Sequence, residues 1–190
     1  MIKLYKLFFW VLTLNAVCCF AAEDNPSYVN YIKNKGQWDN TVLYQGGFKG
    51  GSVFLEKNAF TYVFYPKEGI DQLHHHRNAT GADALTLTFH TVRMQFLGSL
   101  PNVKTEEQNI ASFYHNYYKG NDPSKWASNV PLASTVLYTN LYNGISVKTF
   151  SSNNNVRYDF LVAPGADISQ IKMKFEGQNN LYIKKGNLFC

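Results

Sequence analysis

No stretch of eleven or more residues in this chain sustains the apolar spacing of a helix; short runs of alternating apolar and polar residues, broken by Gly, Asn and Pro, take its place. Alternation of period two puts every second side chain on one face of a strand. Val156, Tyr158, Phe160 and Val162 share one face, and Arg157, Asp159 and Leu161 share the other. Ile171, Met173 and Phe175 repeat the pattern. Val53 and Leu55, then Phe60, Tyr62 and Phe64, predict two strands around a turn at Lys57-Asn58. Leu85, Leu87 and Phe89 alternate on one parity, and Val92, Met94 and Phe96 on the other, which predicts a bulge or bend near His90-Thr91. Residues 103–109 read as a polar edge strand, 113–118 as an aromatic strand, and 136–142 and 145–150 as further strands. A hairpin loop at 151–155 leads into the strand at 156–162, and Leu181, Ile183 and Leu188 bracket a turn at Lys185-Gly186-Asn187. Short strands spaced roughly 8–12 residues apart mark an all-β fold. The expected architecture is an antiparallel, β-sandwich-like module.

The first residues carry a different signal. Lys3 and Lys6 precede an apolar run at 7–20, followed by small Ala21 and Ala22 and then acidic Glu23 and Asp24. Basic, apolar, small and polar is the order of a secretory signal peptide. The apolar run is shorter than the roughly 20 residues a membrane span needs, so export is expected and no membrane span. Cleavage after Ala21 puts Cys19 at the −3 position, whereas cleavage after Ala22 would put bulky Phe20 there. The expected division is therefore a signal peptide at 1–21 and a β-rich module at 22–190. In a rival reading Cys18 or Cys19 carries lipid at the new N-terminus, but the residues before them lack the Leu and small-residue pattern of a lipoprotein signal.

Loss of 21 of the 190 residues leaves 169, enough for one domain that buries about two-thirds of its unfolded surface. Without Lys3 and Lys6 the balance is 16 basic against 13 acidic residues, a net charge of +3 with no dense cluster. A nucleic-acid surface needs a stripe or patch of Lys and Arg. Only Arg77, Arg93 and Arg157 are present, so nucleic acid is excluded as a partner. Cys190 is the one cysteine outside the leader and cannot close an internal disulfide. The sequence ends on GNLFC, which reads as the opening of a strand, so the module is expected to be incomplete at its C-terminus.

Two segments read as structural corners. In GNDPSKWASNVP (120–131), Asp122 is placed to cap a turn that Pro123 opens, Trp126 is expected to drop into the core, and Pro131 to end the local structure. In VAPGADISQI (162–171), Pro164-Gly165 predicts a sharp turn, with Asp167 or Ser169 bonding exposed backbone N–H groups. Four segments, NKGQWDNTVLYQGGFKGGSVFL (34–55), NYYKGNDPSKWASNVP (116–131), NLYNGISV (140–147) and RYDFLVAPGADISQIKMKFEG (157–177), together resemble an uncharacterised N-terminal module of exported Bacteroidota proteins. The resemblance covers most of residues 34–190. It implies a module that precedes β-propeller-like repeats, PKD-like or immunoglobulin-like domains, often with a C-terminal type IX sorting domain. It also implies that this chain is an N-terminal fragment or the product of a shortened gene. It transfers no catalytic residues. Asn78-Ala79-Thr80 matches a glycosylation triplet, which a bacterial source makes a chance match.

Little in the sequence carries chemistry. His74 and His76 would share a strand face and chelate a metal with Asp71, while His75 would point away. They lie in a polar, Gly-flanked stretch at 67–84 that is outside the family pattern, so the expectation is a solvated loop without a metal site. His90 and His115 have no nucleophile motif beside them and read as strand histidines. Asp122, Asp159 and Asp167 fall in or near turns. No catalytic, cofactor-binding or metal residue is assigned, and the chain is not expected to be an enzyme. The expected function is a structural or adhesive module of a secreted or cell-surface protein, partnering downstream domains or cell-surface components. The alternative is a carbohydrate-binding module in which Tyr114, Tyr117, Tyr118, Tyr138 and Tyr142 form a platform for glycans, against the reading in which these rings fill and rim a β core. Mass spectrometry of the exported protein is expected to find Ala22 at its N-terminus; a chain that keeps Met1 would contradict the leader.

Overall fold

Alternating runs become strands throughout the computed structural model, which describes residues 30–66, 87–152 and 155–189. The strands in chain order are β1 (Tyr31–Lys33), β2 (Val42–Phe48), β3 (Gly51–Glu56), β4 (Ala59–Phe64), β5 (His90–Leu97), β6 (Lys104–Tyr117) and β7 (Ala127–Tyr142). They continue as β8 (Ile145–Ser152), β9 (Asn155–Val162), β10 (Lys172–Glu176), β11 (Tyr182–Lys184) and β12 (Asn187–Phe189). Two 3-10 turns, Pro123–Lys125 and Ile168–Gln170, are the helical elements among the described residues. The stretch with Asp71 and His74–His76, expected to be a solvated loop, lies outside the described residues, as do the leader, Leu85 and Cys190.

Ten strands form one antiparallel sheet in the order β10-β5-β4-β3-β2-β1-β7-β8-β9, with β6 paired to β7; β11 and β12 make a separate hairpin. The class is all-β and antiparallel, as the alternation predicts. Its two layers come from one sheet that curls into a half-barrel. Phe60 on β4 lies 5.5 Å from Tyr138 on β7 and 6.0 Å from Tyr158 on β9, centroid to centroid. Phe96 on β5 lies 6.2 Å from Phe160 on β9. The two ends of the sheet order therefore meet across a shared core, joined by Val53, Leu55, Met94, Val136, Ile145 and Val147.

Several expectations are corrected by this geometry. The strands predicted at 103–109 and 113–118 are one strand, β6. Pro131 does not end the local structure: β7 runs through it, opposite Tyr114, where the β6–β7 register shifts. A proline lacks the N–H a regular ladder uses, and a bulged edge tolerates that. Trp126 is 42 % exposed and does not enter the core. Tyr138 and Tyr142 are buried, so they cannot belong to a surface platform. The bend expected near His90-Thr91 is the place where β5 begins.

The buried tyrosines bring polar hydroxyls inside, and each needs a partner. Tyr138 donates to the Glu56 carbonyl at 2.9 Å, and Tyr142 to the Lys172 carbonyl at 3.2 Å. The Tyr31 hydroxyl lies 2.7 Å from Thr149 Oγ1, which itself donates to the Arg157 carbonyl. Tyr44 donates to Glu107 at 2.5 Å. Burial pushes the Tyr31 hydroxyl up to about 12, against the lowering effect of its bond to Thr149. Burial raises Tyr44 and Tyr138 as well. A tyrosine raised in the folded state gives its full stabilisation below its unfolded value of about 10 and loses it as pH rises beyond, because the unfolded chain ionises first. Alkaline titration is therefore expected to show a steep loss of stability above about pH 10, with part of the tyrosinate absorbance appearing only on unfolding. Titration of all tyrosines in one step near their ordinary value, with the fold intact, would contradict this.

Candidate functional site

The ends of β6 and β7 carry an arm of aromatic residues, and its shape follows from the two corner segments. Asp122 Oδ1 accepts from the Ser124 backbone N–H at 3.0 Å and from its hydroxyl at 2.7 Å, which starts the 3-10 turn at Pro123. Those bonds hold the Asp122 carboxyl below its ordinary range, the side-chain bond first. Trp126 closes the turn through its backbone N–H to the Pro123 carbonyl and its indole N–H to the Gly120 carbonyl. Asn129 sits in the left-handed region (φ 51°), which Asn tolerates better than most residues, and its N–H is taken by Asn116 Oδ1 at 2.9 Å.

The corner at 34–43 is built around one side chain. Asn34 Oδ1 accepts from the N–H groups of Gly36 and Trp38. Its Nδ2 donates to the carbonyls of Asp39 and Val42, both at 2.8 Å, and its own N–H bonds the Leu43 carbonyl. Lys35 then reaches across to the Ser128 and Asn129 carbonyls at 3.2 Å each, and Trp38 packs its ring 5.6 Å from Tyr117. The NKGQW and GNDPSKWASNVP segments thus meet in space and fix the arm to the sheet.

Alternation along β6 sorts the arm's rings into two sets. Phe113, His115 and Tyr117 form a row, with centroids 6.4 and 6.2 Å apart, that Trp38 extends. Lys119 Nζ lies 5.6 Å over the Tyr117 ring, within cation–π range. Burial raises the Tyr117 hydroxyl. In the second set Tyr118 meets Trp126 edge-on at 5.5 Å, and Tyr114 is exposed. A cavity of about 330 Å³ opens at the Trp38 end, lined by Lys33, Asn34, Asn40, Tyr44 and Thr105 among others. Behind it, burial pushes the Glu107 carboxyl up, but Lys33 at 2.7 Å and the Tyr44 hydroxyl outweigh burial and hold it below its ordinary value.

Of the predicted platform, Tyr114, Tyr117 and Tyr118 lie on this arm. Phe113, Trp38 and Trp126 belong to it and were missed, although Phe113, His115 and Tyr117 are spaced two apart in the sequence. His115 joins the ring row, with Nδ1 3.4 Å from the Tyr117 hydroxyl, while His90 at the start of β5 faces Phe64. Of the three acids expected in or near turns, Asp122 and Asp167 cap turns, while Asp159 lies within β9 and pairs with Arg157 at 3.2 Å. Among the described residues no group of three or more His, Cys, Asp or Glu is placed to hold a metal.

A family model described as "Domain of unknown function (DUF7948)" matches residues 31–190. The chain belongs to that family. No curated protein and no solved structure matches it. The family match begins at Tyr31, the first residue of β1, and takes in both corner segments and the whole arm. Asn34→Ala removes the side-chain bonds of the first corner and is expected to lower stability by about 1–3 kcal/mol in urea denaturation. It is also expected to alter Trp38 fluorescence through the Trp38–Tyr117 contact. Unchanged stability and emission would show that this corner does not hold the arm.

Proposed function

We propose that this chain is a non-catalytic adhesive module of an exported protein, secreted or held at the cell surface, and that the aromatic arm is its contact surface. The observation that carries this reading is the row Phe113–His115–Tyr117–Trp38, partly exposed to solvent and fixed by the corner bonds of Asn34 and Lys35. Rings left in water on a braced arm are costly unless they meet a partner. The leader-like N-terminus supports export. The resemblance to N-terminal modules of exported Bacteroidota proteins supports a place ahead of repeat or immunoglobulin-like domains and a type IX sorting signal.

The partner we propose is an extended glycan. Pyranose rings offer apolar faces for stacking, and their hydroxyls suit an amphipathic surface of Tyr, Trp and His. The cavity at the Trp38 end, with Lys33, Asn40 and Thr105 in its lining, supplies hydrogen-bonding groups beside the row. A glycan array probed with the purified protein is expected to give selective binding. Phe113→Ala/Tyr117→Ala is expected to weaken it at least about tenfold with the β spectrum retained. Absent binding, or binding indifferent to these changes, would contradict the glycan assignment.

A further inference from the structure

A second cavity lies away from the arm, between the curled sheet and the β11–β12 hairpin. Its volume is about 660 Å³, within the range of small-molecule sites. The hairpin turns at Lys185 and Gly186, both with positive φ (50° and 76°), so its strands follow the sheet twist. Tyr182 and Phe189 stack with centroids 5.2 Å apart and planes 11° apart, and with Leu188 they line one wall. Phe64, Val92, Met94 and Phe175 line the sheet side. Gly177 fixes the approach to the hairpin: it has φ +86°, and a Cβ there would collide with the Thr91 carbonyl oxygen. Asn179 and Asn180, which follow, share the cavity lining with His90 and Val92 of β5.

Among the described residues no Lys, Arg, Asp or Glu lines the cavity; its polar side chains are His90, Tyr62, Tyr158, Tyr182, Asn179 and Asn180. Its two amides come from one segment, Asn179-Asn180, two residues before Tyr182 at the start of the hairpin. We infer that the cavity binds a monomeric, uncharged single-chain lipid, with the chain against Phe64, Val92, Met94 and Phe175 and a hydroxyl or ester head at Asn179-Asn180. A sugar would set several hydroxyls against the apolar wall of Phe64, Val92, Met94, Phe175, Leu188 and Phe189, where an unpaired polar group costs free energy. Among the described lining residues a fatty-acid carboxylate would meet no Lys or Arg, only the His90 ring, and a buried charge without a partner is costlier still.

Displacement of the neutral probe N-phenyl-1-naphthylamine from the purified protein tests this, with monomyristoylglycerol and myristate as competitors at about pH 8, where the free acid is ionised. Saturable probe binding at one site is expected, with the glyceride competing at least about tenfold better than myristate. Leu188→Asp/Phe189→Asp changes two side chains that are 44 and 42 % exposed, and it is expected to abolish probe binding with the β spectrum retained. Phe64→Lys, on the opposite wall, tests the head-group rule separately and is expected to shift preference toward myristate. Non-saturable probe uptake, equal competition by the two lipids, or indifference to both variants would overturn the assignment. Competition by a soluble oligosaccharide or an apolar peptide in place of the glyceride would overturn it in favour of that occupant. Glycan binding by the arm is read in a separate assay, so either proposal fails without the other.

Discussion

The contact of Phe60 with Tyr138 and Tyr158 is what the half-barrel depends on. A single antiparallel sheet with one apolar face has nothing to bury that face against unless another layer arrives or the sheet meets itself. This sheet meets itself. Rings from β4 and β5 reach those of β7 and β9, at 5.5 to 6.2 Å from Phe60 or Phe96. Large side chains suit this closure, because two walls that curve toward each other leave a wide gap. Using Tyr brings hydroxyls into the core, and the Glu56 and Lys172 carbonyls, Thr149 and Glu107 each take one. Hydrogen bonding and ring packing therefore reinforce each other, and mispairing the strands would cost both.

Outside that core, the arm shows how short motifs can serve a surface. β6 and β7 leave the body of the sheet as a bulged pair, with register shifts between Ile110 and Tyr114 and between His115 and Tyr117. A two-stranded ribbon alone has little to stiffen it. The Asn34 corner supplies the missing brace through Lys35 and Trp38, and the Asp122 cap closes the far end. A surface fixed in this way loses less freedom when it binds, which favours affinity.

Period two made much of the fold legible. Val92, Met94 and Phe96, and Met173 and Phe175 after them, face the core as their alternation requires, and the Asp122 and Asp167 turns form where capping chemistry places them. What the sequence did not reveal depended on distant partners. Tyr138 and Tyr142 look like Tyr114 and Tyr118 in composition alone. They are buried because their hydroxyls find the carbonyls of Glu56 and Lys172, 82 and 30 residues away. Trp126 stays outside because its turn sits at the tip of the arm, where its indole N–H already has the Gly120 carbonyl. The curl itself was not legible either, since alternation marks a buried face and not what covers it.

Nuclear Overhauser contacts between aromatic rings test the self-closing sheet most directly. The account predicts contacts from Phe60 to both Tyr138 and Tyr158 and from Phe96 to Phe160, alongside the backbone ladder of each neighbouring strand pair. Intact ladders without those ring contacts would mean an open sheet whose apolar face is covered by something else.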